Sequence, residues 1–505
     1  MSGTTRQGYA AGQLVTRRLD ALGNLHSGFF GVSWWFVRVH LIAGGAWAMG
    51  AAHTMSYMFM IASLIAEFKL DSTEIAFTMV GAAMLGAFVG SFVFGYLADT
   101  RGRKFSLLAA CTLTSAAGAL CAASPSNVVL SLLRFVVGLG LGGLQPVICT
   151  LIMELSPSNI RGRALVYLDA FWPLGAILAM VLCRETGFGW RAIAGFSGAA
   201  FLYLPLIYFY VPESPKWLAT SGDIEEAVRV LRTIEQASSV FHGEDADNGI
   251  KNLVQQYDGS GETAMSNVNK QMILQTHKPG FFELTTTRFR ILMRFPYLSR
   301  TLMLWFIWAA MTLSNSAMCT YLDDKFLHEP LSNAELTLLT YNPYIGQFFG
   351  NLIAGALIDR LGRRYTIISC VLLSSAGSLL EVYVNHTMFW MLYPTSVRVV
   401  GMSYAWGISR LGYFAGPYMA IWMTGDMKVS SAWLTWTLFV LMVLVALVIL
   451  VFGFETAGRD TESRASAVST DRETTGTTIA YQRHEDDDEE EDPPMLQKNQ
   501  MHIVL

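Results

Sequence analysis

The sequence predicts an all-α membrane protein built from two homologous helical bundles. Hydrophobic residues make up 52% of the 505-residue chain and charged residues only 15%, whereas an ordinary soluble protein has about 25% charged residues. Apolar runs of about 20 residues, enough to cross the hydrocarbon of a bilayer as a helix, recur along most of the chain. A charged turn motif is also repeated with the same internal spacing in the two halves. Because lipid cannot satisfy unpaired backbone groups, repeated spans of this length indicate a helical bundle.

The apolar runs divide into eleven predicted spans. The first half contains six, at about residues 38–66, 75–97, 105–123, 128–153, 164–183 and 190–211, and the second half contains five, at about 298–321, 336–357, 366–384, 398–423 and 431–453. Basic residues fall in alternate connecting turns, which places the N-terminus and the central loop in the cytoplasm. We therefore expect a cytoplasmic N-terminus (1–36), a six-helix bundle (37–211), a cytoplasmic central loop (212–297), a second bundle of about five helices (298–454) and a disordered acidic tail (455–505).

The repeated motif consists of glycine, aspartate and a basic turn at the end of a span. The first copy reads Gly95-x-x-x-Asp99-x-x-Gly102-Arg103-Lys104. The second copy reads Gly355-x-x-x-Asp359-x-x-Gly362-Arg363-Arg364 and lies 260 positions further along the chain. Two copies at corresponding places indicate a transporter composed of two repeated bundles.

The second half is shorter than the first by one span. Arg103 and Pro157 are 54 positions apart, whereas the corresponding Arg363 and Pro394 are only 31 apart. Since a helical crossing takes about 20 residues, the equivalent of span 10 is missing and about 11 helices remain. Two interpretations stay open, namely a truncated gene model or splice form, and a genuinely altered relative that no longer transports.

Further motifs follow the spans in the same arrangement. They are Glu154-x-Ser156-Pro157-x-x-x-Arg161-Gly162-Arg163, Pro212-Glu213-Ser214-Pro215-Lys216-Trp217 and Tyr393-Pro394-Thr395-x-x-Arg398. Together with the repeated turn, they resemble the major facilitator superfamily in its sugar-porter and organic-ion branch. A narrower resemblance, to synaptic-vesicle-glycoprotein-like proteins and bacterial nicotinate carriers, covers about residues 17–458 and rests on Arg18-Leu19-Asp20, Asp169-Ala170-Phe171-Trp172-Pro173-Leu174-Gly175, Trp305-x-x-Trp308 and Arg410-Leu411-Gly412. The resemblance implies a major facilitator fold with two pseudo-symmetric bundles, alternating access, and a location in the plasma membrane or an organelle membrane.

Charged residues inside spans are the first candidates for solute binding, since an ion at the membrane centre costs about 2.5–3.5 kcal/mol on insertion scales. We expect Asp169 in span 5 and Arg410 in span 11 to line a central cavity. There Arg410 would pair with a substrate carboxylate, and Asp169 would set the charge or accept a proton. Alternatively, the two residues pair with each other or with the backbone and lock the bundle.

His53 lies in span 1, where the group it resembles commonly carries acids. It either replaces the missing carboxylate as a proton site or is a hydrogen-bonded core histidine. Aromatic and amide side chains could stack on and hydrogen-bond a small ring, and each is otherwise a core residue. The main candidates of this kind are Gln145, Trp172, Trp305 and Asn315, and further candidates are Trp308, Tyr344 and Gln347.

The charged turns are predicted to form an inner gate. The resemblance implies that Asp99 pairs with Arg103, and Asp359 with Arg363, on the cytoplasmic face of this chain. Such pairs hold a gate shut in one state and break in the other. Glu154, Arg161, Glu213 and Arg398 are expected to join them. Arg134 in span 4 is a further gating candidate, although the glycines that follow it also favour close helix packing.

We therefore expect secondary active or facilitative transport of a small organic solute, an organic anion such as a carboxylate, by a monomer in the bilayer. Protons are a candidate coupling ion, and no nucleic acid, cofactor or metal is expected. The alternatives are a sugar, phosphate or organic-cation transporter, and a non-transporting membrane sensor or binding protein of the same fold. An enzyme is not expected, because the chain has neither a GxxxxGK[ST] phosphate loop nor an HExxH zinc motif.

Overall fold

The computed structural model of the chain describes residues 15–16, 18–20, 33–69, 78, 81–184, 186–237, 289–290, 292–294, 297–328, 333–361, 365–366, 368–369, 408–416, 419 and 431–452. Every regular element among these residues is helical. Residues 370–407, where the question of the missing span arises, lie outside the described residues, as do most of the central loop and the predicted acidic tail.

Each of the six spans predicted for the first half corresponds to helix. In chain order they are α1 (Trp34–Phe59) with α2 (Ile61–Phe68), α3 (Ala82–Arg101), α4 (Arg103–Cys121), α5 (Asn127–Leu155), α6 (Arg161–Asp169) with α7 (Phe171–Arg184), and α8 (Trp190–Phe196) with a 3₁₀ helix (Ser197–Tyr203) and α9 (Leu204–Tyr210). Among the described residues, five stretches are long and apolar enough to cross a membrane, namely α3, α4, α5, α6–α7 and α8–α9.

The remaining helices follow the first half in two groups. Two short helices, α10 (Pro215–Ser221) and α11 (Ile224–Ala237), open the predicted central loop. The second half contains α12 (Tyr297–His328), α13 (Asn333–Leu361), a helical segment at 408–416 and α14 (Ser431–Phe452). Shorter apolar stretches of α12, α13 and α14 agree with the predicted spans.

Local sequence explains several helix boundaries. The Ser126 hydroxyl accepts a hydrogen bond from the Val129 amide at 3.4 Å and caps α5. Pro173 has no amide proton for the carbonyl of Asp169, four residues earlier, and the fifth span is interrupted between these residues, at Ala170. Helix α11 begins after Asp223, whose carboxylate accepts from the Glu226 amide at 3.2 Å, as the capping pattern predicts.

Glycines bring α3 and α5 into close contact. A Cβ atom on Gly86 or Gly90 of α3 would overlap backbone carbonyl groups of α5. In the same way, a Cβ on Gly138 or Gly142 of α5 would overlap carbonyl groups of α3. The glycine-rich sequence after Arg134 therefore serves the close helix packing that was one of its two predicted roles.

Segments at both ends of the first half are tied by ion pairs. Arg18 lies against α11 and donates two hydrogen bonds to Glu235, at 2.8 and 2.7 Å. At the other end, Glu67 at the end of α2 accepts from the Trp190 indole and the Arg191 guanidinium, both on α8. These contacts connect residues that are more than 100 positions apart in the sequence.

The two halves meet along α13 and the 408–416 segment. Helix α13 packs on α6 and α7, and a Cβ on Gly355 would overlap the Tyr167 ring. The Tyr344 hydroxyl also donates to the Met55 sulfur at 3.5 Å. Within the second half, the Thr312 hydroxyl of α12 lies within hydrogen-bond distance of the Ser409 carbonyl, at 2.9 Å, and also of the Trp308 carbonyl of its own helix, at 2.7 Å, so the 408–416 segment packs closely on α12.

Candidate functional site

Four charged residues form a compact group that we call the inner cluster: Asp99, Arg103, Glu154 and Glu213. The Arg103 guanidinium donates to both carboxylate oxygens of Glu154, at 3.0 and 3.1 Å. It also donates to the Ala98 carbonyl at 3.0 Å and lies 3.5 Å from the Asp99 carboxylate. The side chains of Arg103 and Glu154 are only 4% and 0% exposed. The cluster thus joins the ends of α3, α4 and α5 through a buried bidentate pair.

Glu213 caps the start of α4. Its carboxylate accepts from the backbone amide of Arg103 at 2.9 Å and from that of Lys104 at 3.1 and 3.2 Å. A carboxylate is favourable at this position because the amides of a helix N-terminus carry partial positive charge. Burial raises the pKa of Glu213 above its ordinary value of 4.5, although these hydrogen bonds oppose the shift. Gly102 precedes the capped amides with a φ of +101°, and a Cβ there would overlap the Glu213 carboxylate.

Trp217 belongs to this group, although the sequence analysis assigned it no role. Its indole donates to the Asp99 carbonyl at 3.0 Å, and its ring lies 6.0 Å from the Arg103 guanidinium carbon. The sequence could have predicted this position, since Trp217 is the last residue of the motif that contains Glu213. Arg161, predicted to join the gate, donates to the Ser156 carbonyl at 3.2 Å. The side chains of the second-half gate candidates, Asp359, Arg363 and Arg398, lie outside the described residues.

Asp169 lies among tryptophans at the interruption between α6 and α7. It is 7% exposed, and its carboxyl group accepts a hydrogen bond from the indole of Trp47 on α1. The ring of Trp47 in turn lies 4.6 Å from that of Trp172, centroid to centroid, at an interplanar angle of 41°. The structure therefore brings two of the predicted binding residues, Asp169 and Trp172, together through Trp47, for which the sequence predicted no role.

Arg410 lies where the second half meets α3. It is 7% exposed, and its Nη1 atom lies 3.9 Å from the sulfur of Met84 in the first turn of α3. Its guanidinium carbon is 5.7 Å from the ring centroid of Tyr413. The contacts described for Asp169 and for Arg410 thus involve different residues, and a role of either in solute binding or in locking the bundle stays a prediction.

His53 and Arg134 lie near the other end of the first half from the inner cluster. The guanidinium carbon of Arg134 is 3.9 Å from the ring centroid of Tyr57, and the His53 ring meets the same tyrosine edge-on at 5.4 Å. Arg134 and Glu154 both belong to α5 and are separated by 20 positions, which corresponds to about 30 Å along the helix axis. Arg134 is therefore remote from the inner cluster.

The other predicted binding residues are scattered. Gln145 is 3% exposed and, within the described residues, its side-chain oxygen has no hydrogen-bond partner. Trp305 stacks on Phe289, with ring centroids 6.4 Å apart, so this contact joins it to the segment before α12. The side chain of Asn315 lies outside the described residues. For all these residues, solute binding stays a prediction.

Known proteins match the chain over most of its length. The model of the family "Sugar (and other) transporter" matches residues 48–295 and 302–393. The niacin transporter NiaP of Acinetobacter baylyi is 28% identical over 448 residues, which cover 84% of this chain and 94% of that protein. The organic cation/carnitine transporter 7 of Arabidopsis thaliana is 27% identical, with coverage of 84% and 92%. A synaptic vesicle 2-related protein of Bos taurus is 26% identical, with coverage of 84% and 77%.

Among solved structures, the fold is similar to that of the proton:xylose symporter XylE of the major facilitator superfamily. The TM-score is 0.66 at 18% sequence identity, over 85% of this chain and 98% of that one. The matched family model, the helical architecture and this similarity agree with the predicted fold and with the multi-pass membrane location. The chain therefore belongs to the sugar (and other) transporter family and is a membrane transporter of the major facilitator superfamily.

Proposed function

We propose that this transporter carries a small organic anion, a carboxylate attached to a ring, by alternating access. The single observation that carries the proposal is the position of Arg410, a guanidinium only 7% exposed at the contact between the two halves. Across that contact, its Nη1 atom lies 3.9 Å from a thioether sulfur, which is a weak acceptor. A carboxylate is a far stronger partner for a guanidinium, because the planar fork can donate two parallel hydrogen bonds. Niacin, named for the bacterial relative, is a pyridine carboxylate.

The position of Arg410 also suits alternating access. A site on the seam between two bundles is accessible from one side or the other as the bundles rock. A solute bound to Arg410 would contact the second half directly and α3 of the first half through the neighbourhood of Met84. Binding would then be coupled to the relative position of the halves, as transport requires.

Uptake of radiolabelled nicotinate into proteoliposomes tests this proposal. We expect uptake by the wild-type protein, and in Arg410→Ala a rise in KM of about 10- to 100-fold, since a hydrogen bond to a charged group contributes about 1.5–3 kcal/mol. Arg410→Lys should fall between the two, because lysine keeps the charge without the fork. Arg184→Ala, which removes an exposed arginine at the end of α7, is the matched control and should behave as wild type. Unchanged uptake in Arg410→Ala would remove Arg410 from the site.

A second candidate is an organic cation, which the surroundings of Asp169 favour. A buried carboxyl group beside the Trp47 and Trp172 rings offers both a counter-charge and aromatic faces to a cation. The Arabidopsis relative is named as an organic cation/carnitine transporter. If tetraethylammonium is taken up and Asp169→Asn abolishes that uptake while Arg410→Ala does not, the cation assignment replaces the anion assignment. Correctly inserted protein that takes up neither probe favours a non-transporting role.

A further inference from the structure

A cavity lies within the first half, between α1, α4 and the sixth span. About 680 Å³ of empty space, which includes space open to solvent, lies between nineteen described lining residues from Ala46 to Ile207. Asp169, Trp172 and Arg410 are not among the lining residues. The cavity is therefore separate from the groups that support the proposed solute site.

Three polar atoms in the wall have no hydrogen-bond partner within the described residues, and one of them is the Tyr57 hydroxyl, whose ring lies against the Arg134 guanidinium. The other two are Nε2 of His53, a residue 6% exposed, and Oγ1 of Thr114, a residue 7% exposed. Both residues line the cavity. A buried polar group without a partner costs about 1–3 kcal/mol, and proteins usually satisfy such groups. A molecule that hydrogen-bonds both atoms would recover this cost.

Gly118 keeps space open beside these atoms. A Cβ there would lie 2.8 Å from Cε1 of His53 and would overlap the Ser197 hydroxyl. Gly118 and Thr114 are four residues apart on α4, so they occupy the same face of that helix. His53 and Ser197 therefore meet beside Gly118, and Thr114 lies one turn earlier on the same face of α4, with its hydroxyl next to Gly140 of α5. Ser197 already donates to the Ala194 carbonyl at 2.7 Å, which leaves its oxygen able to accept.

The remaining wall determines the charge of an occupant. It is mostly apolar, with side chains such as Met49, Leu144 and Phe196, and none of the nineteen described lining residues is Asp, Glu, Lys or Arg. Arg134 is not a lining residue, and its guanidinium packs on the ring of the lining residue Tyr57. A charged molecule would lose its hydration here without a direct counter-charge, which is costly.

We propose that this cavity binds a small uncharged molecule: an apolar ring that carries one amide- or hydroxyl-type group able both to donate and to accept hydrogen bonds. His53 Nε2 and Thr114 Oγ1 are its polar contacts. The proposal does not rest on the anion assignment, because the lining residues of the two sites differ.

Three isosteric probes test the charge preference: benzamide, benzoate and benzylammonium. Binding to the purified full-length protein in nanodiscs is measured by saturation-transfer difference NMR. We expect benzamide to bind, and the two ions not to bind in this cavity. Thr114→Val and His53→Phe should each weaken benzamide binding about 10-fold, whereas Arg410→Ala should leave it unchanged. Thr112→Val is the matched control, since Thr112 is exposed on the same helix and its hydroxyl already donates to the Leu108 carbonyl at 2.7 Å.

Two further measurements guard against a folding defect. Gly118→Ala should block benzamide, whereas Gly195→Ala should not, because a Cβ on Gly195 meets only the Ala122 Cβ, at 3.6 Å. In the unmodified protein, benzamide should slow alkylation of Cys111, which lines the cavity, but not of the partly exposed Cys183, which does not. Benzamide binding that survives both Thr114→Val and His53→Phe, that is lost in Arg410→Ala, or that leaves Cys111 unprotected would overturn the proposal. A cavity that holds only water gives the last result.

Discussion

Replacing Glu154 by Gln removes the negative charge from the buried ion pair of the inner cluster while keeping the size of the side chain. Loss of one partner from a buried pair costs about 3–5 kcal/mol, because the other charge stays buried without compensation. Here Arg103 keeps the Ala98 carbonyl at 3.0 Å and the Asp99 carboxylate at 3.5 Å. We therefore expect Glu154→Gln to lower the free energy of unfolding by an amount at the lower end of that range, about 3 kcal/mol.

A double-mutant cycle isolates the pair. The free energy of unfolding is measured in detergent by SDS titration with tryptophan fluorescence, for wild type, Arg103→Gln, Glu154→Gln and the double variant. The double variant should be less destabilised than the sum of the single variants by about 2 kcal/mol, as expected for residues in direct contact. The control is Glu226→Gln on α11. Glu226 pairs with Arg229, and their side chains are 38% and 73% exposed. That surface pair should contribute less than about 1 kcal/mol.

The outcome that would refute this reasoning is specific. If Glu154→Gln is no more damaging than Glu226→Gln, burial of the pair does not add to its contribution. If the effects of Arg103→Gln and Glu154→Gln add to within about 0.5 kcal/mol, the two side chains act independently. Either result would mean that the inner cluster does not hold α4 and α5 together.

Three further predictions concern the charged ends of the first half. Asp99→Asn should reduce the turnover of uptake more than the affinity, since it changes the inner cluster rather than a solute contact; a changed KM at normal turnover would contradict the gating role. Gly102→Ala should lower the free energy of unfolding by about 1–3 kcal/mol, because its backbone region is almost restricted to glycine, and its Cβ would also overlap the Glu213 carboxylate. Gly189→Ala is the control, since its Cβ would find open space. Hydrogen bonds from two side chains of α8 hold the pKa of Glu67 below its ordinary 4.5. The difference in unfolding free energy between wild type and Glu67→Gln should therefore be constant above pH 4.5. It should shrink as the pH falls further, because the carboxylate of the folded protein then becomes protonated.

The family resemblance implied that the residues of the inner cluster lie together, and it could do so because motifs of fixed spacing carry them. Asp99 and Arg103 are four positions apart in one motif. Glu154 opens the motif that follows span 4, and Glu213 belongs to the motif that follows span 6. Positions of this kind can be placed at one membrane face from the order of the spans alone. The gating role itself stays a prediction, since the described contacts of the cluster all lie within the first half.

Sequence reasoning was weakest where the partner is a distant aromatic or aliphatic side chain. Arg134 stays a gating candidate, but its contact with Tyr57 could not be predicted, because it depends on how α1 and α5 pack. Likewise, neither the Trp47 contact of Asp169 nor the Arg18–Glu235 pair, 217 positions apart, follows from spacing. Periodicity predicts which face of a helix is buried, but not which residue of another helix it meets.

The contacts within one half differ in strength from those between the halves, and this difference affects how the bundles can move. In the part of the chain that the structure describes, the buried ion pair of Arg103 and Glu154 lies within the first half. Contacts across the seam include Gly355 against Tyr167, the Tyr344 hydroxyl on the sulfur of Met55, and Arg410 near the sulfur of Met84. Thioethers are weak hydrogen-bond acceptors, so the two contacts to methionine sulfur can break at low cost when the bundles rock. A carboxylate bound to Arg410 would instead form a strong contact between the two halves. Rocking of the bundles would then depend on the solute, as coupled transport requires.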